Sequence, residues 1–321
     1  MADECKVLLR SEVEPYGLIV PLIREAGCQI VRWNPLEDAL PAKVLKSVEG
    51  VYNFGHFPFT YEHMDSMPSL RVVSNFGVGV DHIDLEAAQL RGIPVGNTPK
   101  LLDGATADIT FALLLATARN VVRGDHYARS PEFTQYDPSF MLGQEVHGAI
   151  LGIVGLGSIG YEVARRARAF DMRVIYHNRT RNMRAENDLG ATYVELDELL
   201  TASDFVALNM PLTQETRGMI GRRELALMKK TAVLVNAARG AVVDHDALFE
   251  CLSRKDIYAA GLDVTDPEPL PRDHPLLDLD NLVVVPHLGS ATVQTRDAMA
   301  RRSVENLIAG LQGQPLPSRV A

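Results

Sequence analysis

The chain is poor in cysteine. Cys5, Cys28 and Cys251 are three among 321 residues, an odd number with no C-x-x-C pair. That pattern argues against a disulfide framework and against a zinc site, and it fits a reducing compartment. A long hydrophobic run is also missing. The most apolar stretch, around Ile109–Ala118, is about half of the ~20 residues that a membrane span requires. Nor is there a basic excess: 32 Lys+Arg stand against 41 Asp+Glu, a formal charge of −9. Nucleic-acid and anionic-membrane partners are therefore not expected, although one local basic pocket for a small anion is allowed. The start, MADECKVLLR, has acids where a secretory leader needs basic residues, so a cytoplasmic protein is expected. Repeats, low-complexity tracts and Gly/Ser linkers are absent. What remains is an ordinary globular composition, 46% hydrophobic and 23% charged, at a length that favours two domains.

Short apolar runs alternate with helical patches through the first hundred residues. Lys6–Leu9, Gln29–Arg32, Gly50–Phe54, Leu70–Ser74 and Ile93–Gly96 read as strands, with helical stretches such as Leu18–Ala26 and Ala39–Val48 between them. Such alternation predicts a parallel sheet covered by helices. One long helical pattern, apolar on most faces, follows from Asp103 through GATADITFALLLATARNVV. A second series begins at Ala149 with AILGIVG, RVIYH, ATYV, FVALN, AVLVN, AAGLDV and NLVVVP. These runs are rich in Val, Ile and Leu with little polar alternation, as strands buried on both faces are. The last helix, Ala291–Leu311, is expected to return to the first domain. The domains are then residues 1–100 plus 290–321, and residues 101–289.

Gly155-Leu156-Gly157-Ser158-Ile159-Gly160 follows the strand Ile150–Val154 and precedes a helix over Tyr161–Phe170. In that strand–turn–helix context, G-x-G-x-x-G predicts a dinucleotide site. Gly155 permits the turn, Gly157 lets backbone approach a pyrophosphate, and Gly160 lets helix meet strand; freed N–H groups and the helix dipole hold the phosphates. The next strand ends in Asn178-Arg179-Thr180-Arg181, where a site for NAD usually offers a carboxylate to the ribose hydroxyl. A neutral amide does not repel a 2′-phosphate, and two arginines and a hydroxyl can bind one. NADP(H) is therefore the expected cofactor, with NAD(H) as the second choice.

Three late strands run into polar segments: Ala237-Ala238-Arg239-Gly240, Asp263 to Pro269, and His287-Leu288-Gly289-Ser290. Ligands in open α/β sheets bind at such carboxyl ends. Reducing a 2-keto acid needs an anion clamp, a proton donor and a hydride. Arg239 suits the clamp because its planar fork matches a carboxylate. His287 suits the donor, and Glu268 suits the acid that orients its ring. In the first domain Asn75-Phe76-Gly77-Val78-Gly79 follows a strand. Its glycines allow an anion-binding nest of backbone N–H groups, with the substrate carboxylate assigned to those of Val78 and Gly79.

The segments NFGVGVDHID, GATAD, LGIVGLGSIG, NMPLT, VNAARG, GLDVTDPEP and PHLGS, in this order and across the whole chain, resemble the D-2-hydroxyacid dehydrogenase family. The resemblance implies two doubly wound parallel-sheet α/β domains, Rossmann-like or flavodoxin-like, with an active-site cleft between them. Residues 1–100 plus 290–321 would bind substrate and 101–289 the NAD(P). It implies Arg239, Glu268 and His287 as the catalytic set, a D-hydroxy acid product, and Thr106, Pro211, Ala237, Asp263 and Gly289 along the cofactor, with Asp263 facing the nicotinamide amide. A homodimer through the nucleotide-binding domains is implied as well. Within the family the chain is most similar to glyoxylate/hydroxypyruvate reductases and to 2-ketogluconate reductases. Two departures stand out. Gly55 occupies a position where such reductases often carry leucine, which suggests a roomier pocket with His56 near a substrate hydroxyl. Phe140 and Met141 stand where a tryptophan often reaches the partner's active site. A transcriptional corepressor on the same fold, binding NAD(H) and partner peptides, is the alternative; the acidic cofactor recognition of such a protein is missing here, and its disordered flanks are not expected.

Overall fold

The computed structural model describes residues 5–37 and 40–321; Ala39, the first residue of one expected helix, lies outside them. The chain divides into two units, one running up to Leu102 and resuming at Thr292–Ala321, the other spanning Asp103–Ala291. The first unit holds strands β1 (Lys6–Arg10), β2 (Gln29–Trp33), β3 (Gly50–Asn53), β4 (Val72–Asn75) and β5 (Val95–Gly96). They form a wholly parallel sheet in the order β2-β1-β3-β4-β5. One face is covered by a cluster around Leu8, Val51, Phe59, Val73 and Ile83. The other receives the helix Val293–Leu311. Polar bonds pin that helix: Tyr52 Oη meets Ser303 Oγ at 2.7 Å, Ser74 Oγ donates to the Ser303 carbonyl at 2.6 Å, and Asn306 Nδ2 donates to the Asn97 carbonyl at 2.9 Å.

The second unit has seven parallel strands: β6 (Ile150–Val154), β7 (Arg173–His177), β8 (Thr192–Tyr193), β9 (Phe205–Leu208), β10 (Val233–Asn236), β11 (Ala259–Leu262) and β12 (Leu282–Val284). Their order is β12-β11-β10-β9-β6-β7-β8. Successive side chains serve opposite cores. Val233 and Val235 join one cluster with Phe111, Leu114 and Val163, while Leu234 joins the other with Leu199 and Leu248. Burial on both faces is why these strands read as continuous apolar runs. Among the described residues no single helix is long and apolar enough to cross a membrane.

Two expectations are corrected. The pattern from Asp103 is two helices, Asp103–Ala118 and Val121–Arg129, bent by 59°. The break is Asn120, which takes a left-handed conformation (φ 53°) that asparagine tolerates better than most residues, and whose amide donates to the Met141 carbonyl and to Tyr258 Oη. Cys5 and Cys28, expected to be thiols, form a disulfide. Each immediately precedes a strand, and the register Lys6↔Gln29 places the two cysteines side by side with Cα atoms 4.9 Å apart, within the range a disulfide bridges. Cysteine count and spacing carry no trace of this; strand pairing creates it. Cys251 is the free, buried cysteine, and burial pushes its thiol pKa up.

Candidate active site

In the second unit, β6 and β9 are neighbours where the strand order reverses, the place at which open α/β sheets bind ligands. Gly155 leaves β6 at φ 93°, and a Cβ there would lie 2.4 Å from the Met210 backbone nitrogen. Only a residue without a side chain lets the loops after β6 and β9 cross so closely. A Cβ on Gly160 would meet the Gly155 carbonyl oxygen at 2.5 Å, whereas one on Gly157 would meet nothing within 4 Å. So Gly155 and Gly160 are required by the fold, while Gly157 keeps open the space before the helix Ser158–Ala167. That is the cradle a pyrophosphate requires, with Ser158 and Ile159 opening the helix.

Asn178 and Asn182 hold this loop. Leu156 N–H donates to Asn178 Oδ1 at 2.6 Å, and its carbonyl accepts from Asn178 Nδ2 at 3.2 Å and Asn182 Nδ2 at 2.9 Å. The amide at position 178 thus shapes the glycine turn itself. Arg181, read as a phosphate donor, has its fork on Glu186 at 2.6 and 2.9 Å. Both groups are shifted toward their charged forms by that pairing, the Arg181 guanidinium upward and the Glu186 carboxyl downward. Arg179 and Thr180 are exposed. Pro211 lies in the loop after β9, where its carbonyl accepts from Thr216 Oγ1 at 2.8 Å.

Arg239 follows β10. Asn236, wholly buried at the strand end, accepts from the Ala238 N–H at 3.0 Å and donates to the Arg239 carbonyl at 2.9 Å, fixing the turn that contains Ala237. A Cβ on Gly240 would overlap the Thr265 carbonyl carbon and oxygen at 2.0 and 2.1 Å. Glycine at 240 therefore lets the Arg239 loop press against the loop that carries Glu268. Neither Asn236 nor Gly240 was singled out from the sequence; a polar residue ending a buried strand was the available signal for Asn236.

Glu268 Oε1 meets His287 Nδ1 at 2.6 Å. A carboxylate accepts, so Nδ1 carries the proton. His287 has φ 54°, a left-handed conformation uncommon for histidine and of the kind that marks functional sites. Asp263 enforces it. Its carbonyl accepts from His287 N–H at 2.9 Å, and its carboxylate oxygens accept from Leu288 N–H at 2.6 Å and Gly289 N–H at 2.9 Å. Asp263 is buried, which raises its pKa against the pull of these donors and of the His287 charge. A Cβ on Gly289 would lie 3.0 Å from Asp263 Oδ2 and 3.3 Å from Thr106 Cγ2, so Thr106, Asp263 and Gly289 are brought together.

The first unit places Val78 and Gly79 in the loop after β4, both partly exposed. Gly55 has φ 123°, a conformation that a leucine there would not adopt readily. The His56 ring stands 5.4 Å from that of His82.

Residues 111–289 match the family model of the NAD binding domain of D-isomer specific 2-hydroxyacid dehydrogenases. The chain belongs to this family. It is an oxidoreductase with a nicotinamide dinucleotide as cofactor. Curated relatives of this dehydrogenase include a glyoxylate reductase of Pyrococcus furiosus, 51% identical over 81% of this chain and 78% of that protein. Another, of Pyrococcus horikoshii, is 42% identical over 98% and 95%. Among solved structures, an NADPH-dependent glyoxylate/hydroxypyruvate reductase of Sinorhizobium meliloti, in complex with NADP and malonate, superposes with TM-score 0.90 at 32% identity, covering 99% and 97% of the two chains. The D-lactate dehydrogenase of Aquifex aeolicus, complexed with NAD and lactic acid, gives 0.88 at 30%, covering 98% of each. The two parallel sheets are the fold of these dehydrogenases.

Proposed function

We propose that the chain reduces a small 2-keto acid to the D-2-hydroxy acid, with glyoxylate and hydroxypyruvate as first candidates and 2-ketogluconate as a larger one. The observation that carries this reading is the Glu268–His287 pair at 2.6 Å, seated beside the Arg239 loop in the unit that also holds the glycine turn. The bound dinucleotide supplies the hydride. Arg239 and the N–H groups of Val78 and Gly79 bind the substrate carboxylate. Glu268 fixes the ring of His287, and Nε2 is the nitrogen this reading assigns to protonation of the substrate oxygen. The unit resuming at Thr292 is then the substrate-binding domain and Asp103–Ala291 the nucleotide-binding one. Thr106, Pro211, Ala237, Asp263 and Gly289 are assigned to the cofactor.

NADPH is the preferred donor in this reading. A neutral Asn178 and an exposed Arg179 favour a 2′-phosphate, and the Arg181 side chain is itself exposed; if it turned to the phosphate, Glu186 would keep its hydrogen bond from Tyr176 Oη at 2.7 Å. Residues 133–142 expose Tyr136 (82%) and Leu142 (71%), which supports a homodimer through this unit. A cytoplasmic location belongs to the same reading because NADPH is an intracellular reductant; the cysteines no longer support it.

The test is NADPH oxidation with glyoxylate, hydroxypyruvate and 2-ketogluconate in parallel. His287→Ala is expected to lower kcat by ~10²–10⁴, the range of general acid–base catalysis. Near-normal kcat in that variant rules out His287 as the donor. No turnover with any 2-keto acid, together with tight peptide binding, would favour the corepressor alternative.

A further inference from the structure

The last residues of four neighbouring strands in the first unit form one row. The register sets Trp33, Arg10, Asn53 and Asn75 side by side across β2-β1-β3-β4. Side chains of such a row share a face, so a cation and two amides stand in line at the carboxyl edge of the sheet. Arg10, Asn53 and Asn75 are each 1% exposed. The Arg10 guanidinium lies 5.2 Å from the Trp33 ring centroid and 5.0 Å from that of Phe59, and among the described residues no carboxylate pairs with it. Burial brings its pKa down to about 10, which still leaves a full positive charge at neutral pH.

Arg10 Nη2 donates to the Pro58 carbonyl at 3.0 Å. Its other hydrogen bond opens a chain of amides, in which Asn53 Nδ2 also meets His82 Nε2 at 2.8 Å and the Gly55 carbonyl at 3.1 Å. Arg10 Nη1 donates to Asn53 Oδ1 at 2.9 Å, and Asn53 Nδ2 donates to Asn75 Oδ1 at 3.3 Å. Asn75 Nδ2 donates to the carbonyls of Gly77 at 3.3 Å and Gly79 at 2.9 Å, while Asn97 Nδ2 holds the Val78 carbonyl at 2.8 Å. A trans peptide points its N–H opposite its C=O. Holding those three carbonyls therefore turns the N–H groups of Val78, Gly79 and Val80 away from the network. None of the three donates to an acceptor among the described residues.

We infer that Arg10 is the remote positive pole of the anion site, its charge relayed through Asn53 and Asn75 to polarise the peptides whose N–H groups receive the substrate carboxylate. Hydrogen bonds in series strengthen one another in a low-dielectric interior. Arg10 touches no substrate; it is a positioning residue. The inference rests on assigning the Val78–Gly79 nest to the carboxylate.

Oxamate, an unreactive 2-keto acid analogue, is the probe, titrated as an inhibitor at saturating NADPH. Arg10→Gln keeps a donor toward Asn53 and removes the charge, whereas Arg10→Lys keeps the charge. In Arg10→Gln, oxamate inhibition is expected to weaken about three- to tenfold and KM for the keto acid to rise in parallel. NADPH affinity stays unchanged, and Arg10→Lys recovers most of the loss. Asn53→Ser interrupts the relay with Arg10 in place and is expected to weaken oxamate similarly; it carries the test if Arg10→Gln does not fold. Unchanged oxamate inhibition in a folded Arg10→Gln or Asn53→Ser protein, or equal losses with Gln and Lys, overturns the relay. If the unmodified protein neither binds oxamate nor turns over a keto acid, the functional reading itself fails instead.

Discussion

Replacing Gly157 and Gly155 separately by alanine divides cofactor binding from folding. Gly157 has φ −89°, outside the left-handed region, and its added Cβ would meet nothing within 4 Å. Stability of Gly157→Ala is therefore expected to stay within about 0.5 kcal/mol of the parent. The same methyl intrudes where backbone must approach the pyrophosphate, so dinucleotide affinity is expected to fall by roughly 10–100-fold, or about 1.4–2.8 kcal/mol. Gly155→Ala is the opposite case. It combines φ 93° with a Cβ 2.4 Å from Met210 N and 2.8 Å from the Asn209 carbonyl carbon. Strain of about 1–3 kcal/mol and overpacking of about 1–3 kcal/mol predict a loss near 2–6 kcal/mol, or roughly 5–20 °C in Tm for a unit of this size. Scanning calorimetry without ligand and NADPH fluorescence titration read the two effects. Parent-like NADPH affinity in Gly157→Ala, or destabilisation as large as in Gly155→Ala, would refute the reasoning.

Gly240→Ala forces a Cβ into the Thr265 carbonyl. It is expected to cost about 1–3 kcal/mol and, by moving the Arg239 and Glu268 loops apart, up to ~10²-fold in kcat/KM; urea titration and steady-state kinetics check both. Asp263→Asn leaves one N–H of the Leu288–Gly289 turn without an acceptor, for an expected loss of about 1–3 kcal/mol at neutral pH. Because burial raises the Asp263 pKa, the parent's folded state holds that proton more tightly than its unfolded state does. That contribution is complete below the ordinary carboxylate range and is lost as pH rises through the raised value. Asp263→Asn should remove this slope from unfolding free energies measured as pH rises above the ordinary carboxylate range. Cys5→Ser opens a loop of sequence separation 23 and is expected to cost about 3 kcal/mol. Alkylation of the unfolded chain without reductant should label one cysteine, and labelling of all three would refute the pairing. Asn178→Asp should shift preference from NADPH toward NADH, and an unchanged ratio of kcat/KM values would refute the 2′-phosphate reading.

Much of the fold was legible because its signals are local. Apolar runs such as AVLVN and FVALN mark strands buried on both faces, and G-x-G-x-x-G after Ile150–Val154 marks the turn. What stayed hidden depends on which strands become neighbours. Cys5 and Cys28 read as unrelated thiols until β1 pairs with β2. Arg181 reads as a donor to a 2′-phosphate, and only folding sets Glu186 against its fork. Arg10 falls just past the expected strand Lys6–Leu9, yet β1 includes it and the sheet buries it.

The linear chain therefore determined the succession of strands, the phosphate turn and the residue types able to clamp, orient and donate, since each follows from periodicity or side-chain chemistry over a few positions. Tertiary structure decided the partnerships. Glu268 and His287 lie 19 residues apart and meet at 2.6 Å only because β11 and β12 are neighbours and Asp263 holds the turn that carries His287. Strand order and register place distant residues within reach, and no spacing within one strand specifies them.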